Sequence, residues 1–308
     1  MPPRAPEAHH DGMTRSARPL HAGPPVWDLT RPEGLGVTPD LGDARAHLPA
    51  LRAALAGALV AADGADLVFV GRSPEPLRAY LLGLLSGVPT PQRVATLNVS
   101  LLNATLTPAQ ARTLRPLLAG AGLHPRTLVR EDRRAALVDV VASGGTFAEL
   151  HRTLRDWAAE DGLGRACMTR RVTAVGLLRA AYARPGAWRW TTQPDLHAVK
   201  TRSVLTDPSL WQWLAEESVK VSPRWPTQDW PHPREHLPER TNDTRAALAQ
   251  NRALLLLGED RTEREQMTAA LIHAGGLDSA AVRTLIQHWR VGGRPVRRDR
   301  PAHRPRPN

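Results

Sequence analysis

Apolar residues recur along this chain with two different spacings. Ala65–Gly71 (ADLVFVG), Ala135–Val141 (AALVDVV) and Arg170–Leu178 (RRVTAVGLL) are short, nearly unbroken apolar runs. Strands covered on both faces read this way. Gln92–Leu102 (QRVATLNVSLL) is a fourth, more polar run of the same kind. Between the runs the spacing turns helical. Leu48, Leu51, Leu55 and Leu59 share one face of a helix over 43–62, and Asp63-Gly64 ends it. A second helix is expected from about Pro76 to Ser86. A third runs from its cap at Thr107, with Pro108 at the first position, to about Ala121. Phe147, Leu150, Leu154 and Trp157 define a fourth. Arg126–Arg134 reads as a charged connection. Strand–helix alternation from 43 to 178 predicts an α/β fold with a doubly wound parallel sheet. Ligands of such sheets sit beyond the carboxyl ends of the strands.

Outside that stretch the character changes. Residues 1–42 are rich in Pro, Gly, Arg and His and predict a disordered start leading into an extended arm. Within the arm, VWDLTRP (Val26–Pro32) is expected to dock through Trp27. Six of the nine Trp fall in the Pro-rich segment 184–240: Trp188, Trp190, Trp211, Trp213, Trp225 and Trp230. Most are expected to be its core, with one or two reaching a ligand. Three capped, apolar-spaced segments, Thr241–Leu257, Arg261–Ala274 and Asp278–Trp289, predict a helical extension over 241–291. A disordered basic tail is expected over 292–308. The expected units are thus a 1–42 arm, a 43–183 core, a 184–240 Trp-rich segment, the extension and the tail.

Composition changes little of this. The chain has 308 residues, 42% of them apolar, enough for an ordinary core. No secretory signal and no apolar stretch of about 18 residues is visible, so no membrane partner is expected. The single Cys167 excludes an intramolecular disulfide and argues for the cytoplasm. The net charge of +11 is carried by Arg: only Lys200 and Lys220 among 41 basic residues are Lys, a skew that with abundant Ala, Leu and Pro reads as nucleotide-composition bias rather than selection for a ligand. Seven of those Arg, with one Asp, lie in 290–308, where a nucleic acid or other polyanion would bind if one does.

The densest chemistry lies in RAALVDVVASGGTFAELHRTLRDW (Arg134–Trp157), a strand, a glycine turn and a helix. The first amides of a helix lack internal partners, and its dipole favours an anion there. Gly144 and Gly145 let those amides approach a phosphate, and Ser143 and Thr146 add hydroxyl donors. Asp139, four residues before Ser143, is placed to accept from sugar hydroxyls. At the end of the first run, Gly71, Arg72 and Ser73 form a second loop. Arg72 suits a diphosphate because its fork binds two oxygens at once. On its own that loop reads better as a plain strand-to-helix turn with Ser73 as a helix cap; a second loop in the same order lifts both.

VDVVASGGT (Val138–Thr146) resembles the phosphoribosyl-pyrophosphate loop of type I phosphoribosyltransferases. There an apolar strand with two adjacent acids leads into Thr/Ser-Gly-x-Thr. The resemblance spans roughly 45–180. It implies that Ser143, Gly144, Gly145 and Thr146 hold a 5′-phosphate and that Asp139 orients the ribose. It implies also that Gly71, Arg72 and Ser73 hold pyrophosphate, with Mg²⁺ riding on the ligand. The chemistry implied is transfer of a phosphoribosyl group between pyrophosphate and a base or amine. The copy departs from the family pattern at two places. Val138 stands where the first acid belongs, and Ala142 where some relatives carry a catalytic acid, so no general base is assigned. A non-catalytic regulatory or nucleotide-binding protein on the same fold is the alternative, and a nucleic-acid-binding protein a third.

Two other motifs fail on context. GRSPE lacks the final Gly of a hydrolase elbow. AGGLDSA (Ala274–Ala280) resembles an ATP-pyrophosphatase loop but follows a helix rather than a strand, and a helix stop at Gly275-Gly276 with Asp278 as the next cap explains it. His232 and His236 lack further ligands, so no structural metal is expected. Oligomeric state stays open.

Overall fold

The computed structural model describes residues 20–22, 27–101, 105–180, 189–230 and 239–291. In chain order these form β1 (Leu20–Ala22), α1 (Ala44–Ala62), β2 (Asp66–Val70), α2 (Glu75–Leu84), β3 (Val94–Leu97), α3 (Pro108–Gly120), α4 (Pro125–Arg130), β4 (Ala135–Val141), α5 (Gly145–Glu160), α6 (Ala166–Arg171) and β5 (Val172–Arg179). β6 (Lys200–Thr206), α7 (Pro208–Gln212), α8 (Asn242–Glu259), α9 (Arg261–His273) and α10 (Ala280–Val291) follow. The basic tail, the first nineteen residues, Trp188, His232 and His236 lie outside the described residues.

The sheet is all-parallel, in the order β1-β3-β2-β4-β5-β6. The doubly wound α/β architecture expected from strand–helix alternation is therefore present. The order reverses between β2 and β4, because β3 lies on one side of β2 and the later strands on the other. That reversal opens a crevice beyond the carboxyl ends of β2 and β4, where ligands of such sheets bind. Alternating side chains feed two cores. Leu67, Phe69, Ala136 and Val138 join one with α1, α2 and α8; Val68, Val70, Leu137 and Val141 join the other with α3 and α5.

Several boundaries differ from the sequence reading. The sheet runs past the expected core limit at 183, because β6 lies inside the Trp-rich stretch and pairs with β5 over its whole length. Its alternation is hidden by charge: Lys200 and Arg202 face outward on an edge strand, where charge discourages pairing with another chain. Gln92–Leu102 shortens to Val94–Leu97, since Asn98 turns away to bond the Pro223 carbonyl. The charged connection contains α4, started by the His124 ring, which accepts from the Arg126 amide. Ser279, not Asp278, caps α10 by accepting from Val282.

Trp27 docks as expected, buried beneath the Arg240 guanidinium 4.8 Å from its ring centre. The helical extension is joined tightly to the core. Arg264 donates to the Gly83 and Ser86 carbonyls, and Trp289 Nε1 to the Leu84 carbonyl. These serve the orphan carbonyls at the end of α2. Glu263 of α9 accepts from Arg52 of α1 at 2.8 Å and from the Tyr80 hydroxyl of α2. The extension thereby holds the helix whose other end opens onto the crevice. Among the described residues no helix is long and apolar enough to cross a membrane.

Candidate functional site

The two loops singled out in the sequence, 71–73 and 142–146, follow neighbouring strands. β2 and β4 pair from Asp66↔Ala135 to Phe69↔Val138, so both loops leave the sheet on either side of the reversal. Gly71 and Gly144 adopt the left-handed conformation (φ 70° and 79°) that turns each chain out of the sheet. Ser73 caps nothing: α2 starts after Pro74 without a side-chain cap. α5 likewise starts at Gly145 with no side-chain cap on its first amides. Ser143 is exposed, and Gly145 and Thr146 are half-buried.

Gly144 needs a second explanation besides ligand approach. A Cβ there would lie 2.9 Å from the Trp190 carbonyl and 3.1 Å from its Cβ. Gly176 on β5 meets the same ring, 2.9 Å from Cζ2. Trp190 therefore lies across the carboxyl ends of β4 and β5 and bonds Ser203 of β6 through Nε1 at 2.9 Å. Gln193 follows and donates to the Ser143 carbonyl. The loop is roofed on one flank, and substitution of Gly144 tests packing as much as ligand approach.

The described Trp of the rich segment, Trp190, Trp211, Trp213, Trp225 and Trp230, are all buried. They are core, as expected for most of them. Their segment contributes through its backbone. Residues 218–225 cross the carboxyl ends of β2 and β3. Glu75, buried at the start of α2, accepts from the Val221 and Ser222 amides at 2.8 and 3.0 Å. Arg72 donates to the Ser222 carbonyl, and Ser100 and Trp225 exchange hydrogen bonds. This pinning carries Lys220 to the crevice and places Arg224 within electrostatic reach of Arg72.

Asp139 retains partial solvent contact in the carboxyl-terminal half of β4, where the strand's first four residues are buried. Burial pushes its carboxyl up to about 8, against the pull of its bond from the Val140 amide (2.7 Å) and the charge of Lys220. Burial brings the Lys220 ammonium down to about 8, with Glu75 opposing and Arg72 reinforcing the shift. Burial also raises the Glu75 carboxyl, against the hydrogen bonds it receives. Perturbed groups of opposite kind meeting at a strand-end crevice define a candidate binding or catalytic site. Sequence reasoning found Asp139 and Arg72 but missed Lys220 and Glu75. The rarity of Lys was the available signal for the first; Glu75 gave none, reading as an ordinary first-turn acid.

Val138, which replaces the first acid of the resembled motif, is fully buried in the core. Ala142 is exposed at the crevice rim. Among the described residues no group of three or more His, Cys, Asp or Glu could hold a metal. Glu75 is committed to two amides, so Asp139 is the carboxylate on offer at the floor. That donor set fits Mg²⁺ only as a passenger on a ligand's own oxygens.

On the helix that follows the loop, His151 is buried with neither ring nitrogen hydrogen-bonded. Burial holds its imidazole down to about 4, helped by the charge of Arg155. The folded value lies below the unfolded one, so this contribution to stability is complete above about pH 6.5 and is lost as pH falls through 4. We expect His151→Leu to remove up to ~3 kcal/mol of acid sensitivity across that window, measured by urea unfolding at several pH values. Parallel pH profiles for the two proteins would contradict this.

No family model, no curated protein and no solved structure matches the chain.

Proposed function

We propose that the chain binds a phosphoribosyl ligand, phosphoribosyl pyrophosphate or a nucleotide, in the crevice at the carboxyl ends of β2 and β4. One observation carries the reading. Two loops some 70 residues apart in sequence leave adjacent strands on either side of the sheet's reversal, with Asp139 on the floor between them. The 143–146 loop would take the 5′-phosphate on uncapped helix amides. Asp139 would meet the ribose hydroxyls, and Arg72 the pyrophosphate. Mg²⁺, when bound, would offset charge on the pyrophosphate and ease its departure. Positioning and electrostatics would then drive transfer to a base or amine.

Val138 and Ala142 favour a second reading, in which the ligand is bound without turnover. Burial at Val138 leaves no room for an ionised acid in this register.

Isothermal titration of phosphoribosyl pyrophosphate, with and without Mg²⁺, tests both. Saturable binding is expected. It should weaken at least about tenfold in Asp139→Asn and in the double variant Ser143→Ala/Thr146→Val, which remove an acid and two hydroxyl donors. Unchanged affinity in both variants would refute the site. Pyrophosphate release with a panel of bases separates enzyme from binder.

A further inference from the structure

Lysine is nearly absent from this chain, only Lys200 and Lys220 standing against 39 Arg. A guanidinium supplies charge and hydrogen bonds wherever the fold needs them. It cannot supply an amine that sheds its proton near neutral pH. Lys200 is exposed at the start of β6. Lys220 is half-buried at the crevice, on the segment pinned by Glu75.

The geometry at Lys220 suits a nucleophile. Its Nζ donates to the Leu214 carbonyl at 2.6 Å and to the Ser218 hydroxyl. A neutral amine has two N–H groups, so it keeps both bonds and leaves its lone pair free in the remaining direction. The charged groups within electrostatic reach of it come from three elements: Glu75 on α2, Arg72 in the loop after β2, and Asp139 on β4. Their balance with burial brings the ammonium to about 8, so roughly a tenth of it is neutral at pH 7.

We propose that Lys220 is a nucleophilic amine and that the crevice takes a phosphorylated aldehyde or ketone, to whose carbonyl carbon it adds to form an imine. The phosphate half rests on the 143–146 loop assigned above. In the step itself, the Lys220 nitrogen forms a bond to the carbonyl carbon, and its proton passes to the carbonyl oxygen. The resulting hydroxyl then leaves as water, taking a proton from the Asp139 carboxyl. The nitrogen returns its remaining proton to Asp139. One water is released per imine, and no oxidant or reductant is needed. Asp139, largely protonated below its raised value, is the acid within electrostatic reach of Lys220.

The two lysines make the test internally controlled. The full chain is treated with pyridoxal 5′-phosphate, with phosphate-free pyridoxal, and with formaldehyde plus cyanoborohydride. The pyridoxal adducts are fixed with borohydride, and the sites are mapped by mass spectrometry. Lys220 should react at least tenfold faster than Lys200 with formaldehyde at pH 7, because neutral amine is the reacting form. Pyridoxal 5′-phosphate should exceed pyridoxal at Lys220 alone, and inorganic phosphate should suppress that excess. Lys220→Arg should leave only Lys200 and the chain's amino terminus labelled. Equal or faster labelling of Lys200 overturns the nucleophile. A fast Lys220 with no preference for the phosphorylated aldehyde upholds the amine and overturns the phosphate loop.

Discussion

Gly83→Ala should destabilise the protein by about 3 kcal/mol or more, although alanine is the better helix former. Gly83 lies inside α2, where it faces α8. A Cβ there would sit 1.9 Å from the Leu255 carbonyl oxygen and 2.8 Å from its carbon. The partner glycine behaves alike: a Cβ on Gly258 would lie 2.5 Å from the Tyr80 carbonyl. Both obstacles are helix backbone, which cannot turn aside as a side chain can. The helices must separate, and separation opens the contacts of Tyr80, Leu84, Leu254 and Leu255 in the same core. It also draws Arg264 and Trp289 away from the carbonyls they serve at the end of α2. Gly57→Ala is the control. Its nearest obstacle, at 2.6 Å, is the Cγ1 of Val204, a side-chain atom that a change of χ1 moves aside. Denaturant unfolding should show a loss for Gly83→Ala several times that for Gly57→Ala. Equal losses would mean that the α2–α8 contact is looser than described. The effect bears on the site because α2 also carries Glu75, so ligand affinity should fall with stability in this variant.

The two-period pattern made the sheet legible because parallel strands buried on both faces leave apolar runs that few other structures produce. β6 was not legible for the opposite reason. As an edge strand it carries Lys200, Arg202 and Ser203 on exposed positions, and proline-rich sequence surrounds it. Asp139 stood out because one acid within a seven-residue apolar run needs a reason. The loops at 71–73 and 143–146 were visible as glycine breaks after strands, yet their proximity depends on strand order, which local pattern does not encode. Gly144 shows the limit of motif reasoning. Its left-handed backbone fits a phosphate turn, but the Trp190 carbonyl pressed against it comes from 46 residues away and demands glycine independently. The crossing of 218–225 over the strand ends was hidden as well. It is held through backbone amides and carbonyls, and those leave no trace in side-chain identity.

Asp139→Asn should stabilise the protein at high pH, and the gain should vanish in acid. In the unfolded chain this carboxyl ionises near 3.8, whereas in the fold burial pushes it up to about 8. A raised folded value means that its contribution to stability is complete below pH 4 and is lost as pH rises through 8. In that window the unfolded chain releases the proton and the folded one keeps it. Four units of separation bound the loss at about 5 kcal/mol, and partial solvent contact at the crevice floor brings it nearer 3. Asparagine has the same shape, carries no charge and retains the oxygen that accepts from the Val140 amide. Urea unfolding at pH 4.5, 7 and 9 should therefore show little gain at the first, an intermediate gain at the second and about 3 kcal/mol at the third. A pH-independent difference would mean that Asp139 ionises freely in the fold. The same substitution is expected to weaken phosphoribosyl-ligand binding, so one residue would cost stability at physiological pH and supply affinity. A fold selected for stability alone would place an apolar residue or an amide at this position. A ligand bringing hydroxyl donors or a cation to the crevice favours the carboxylate, so binding should release a proton from Asp139 near pH 7. Calorimetry in buffers of differing ionisation enthalpy reads that proton directly, and its absence in Asp139→Asn would assign it.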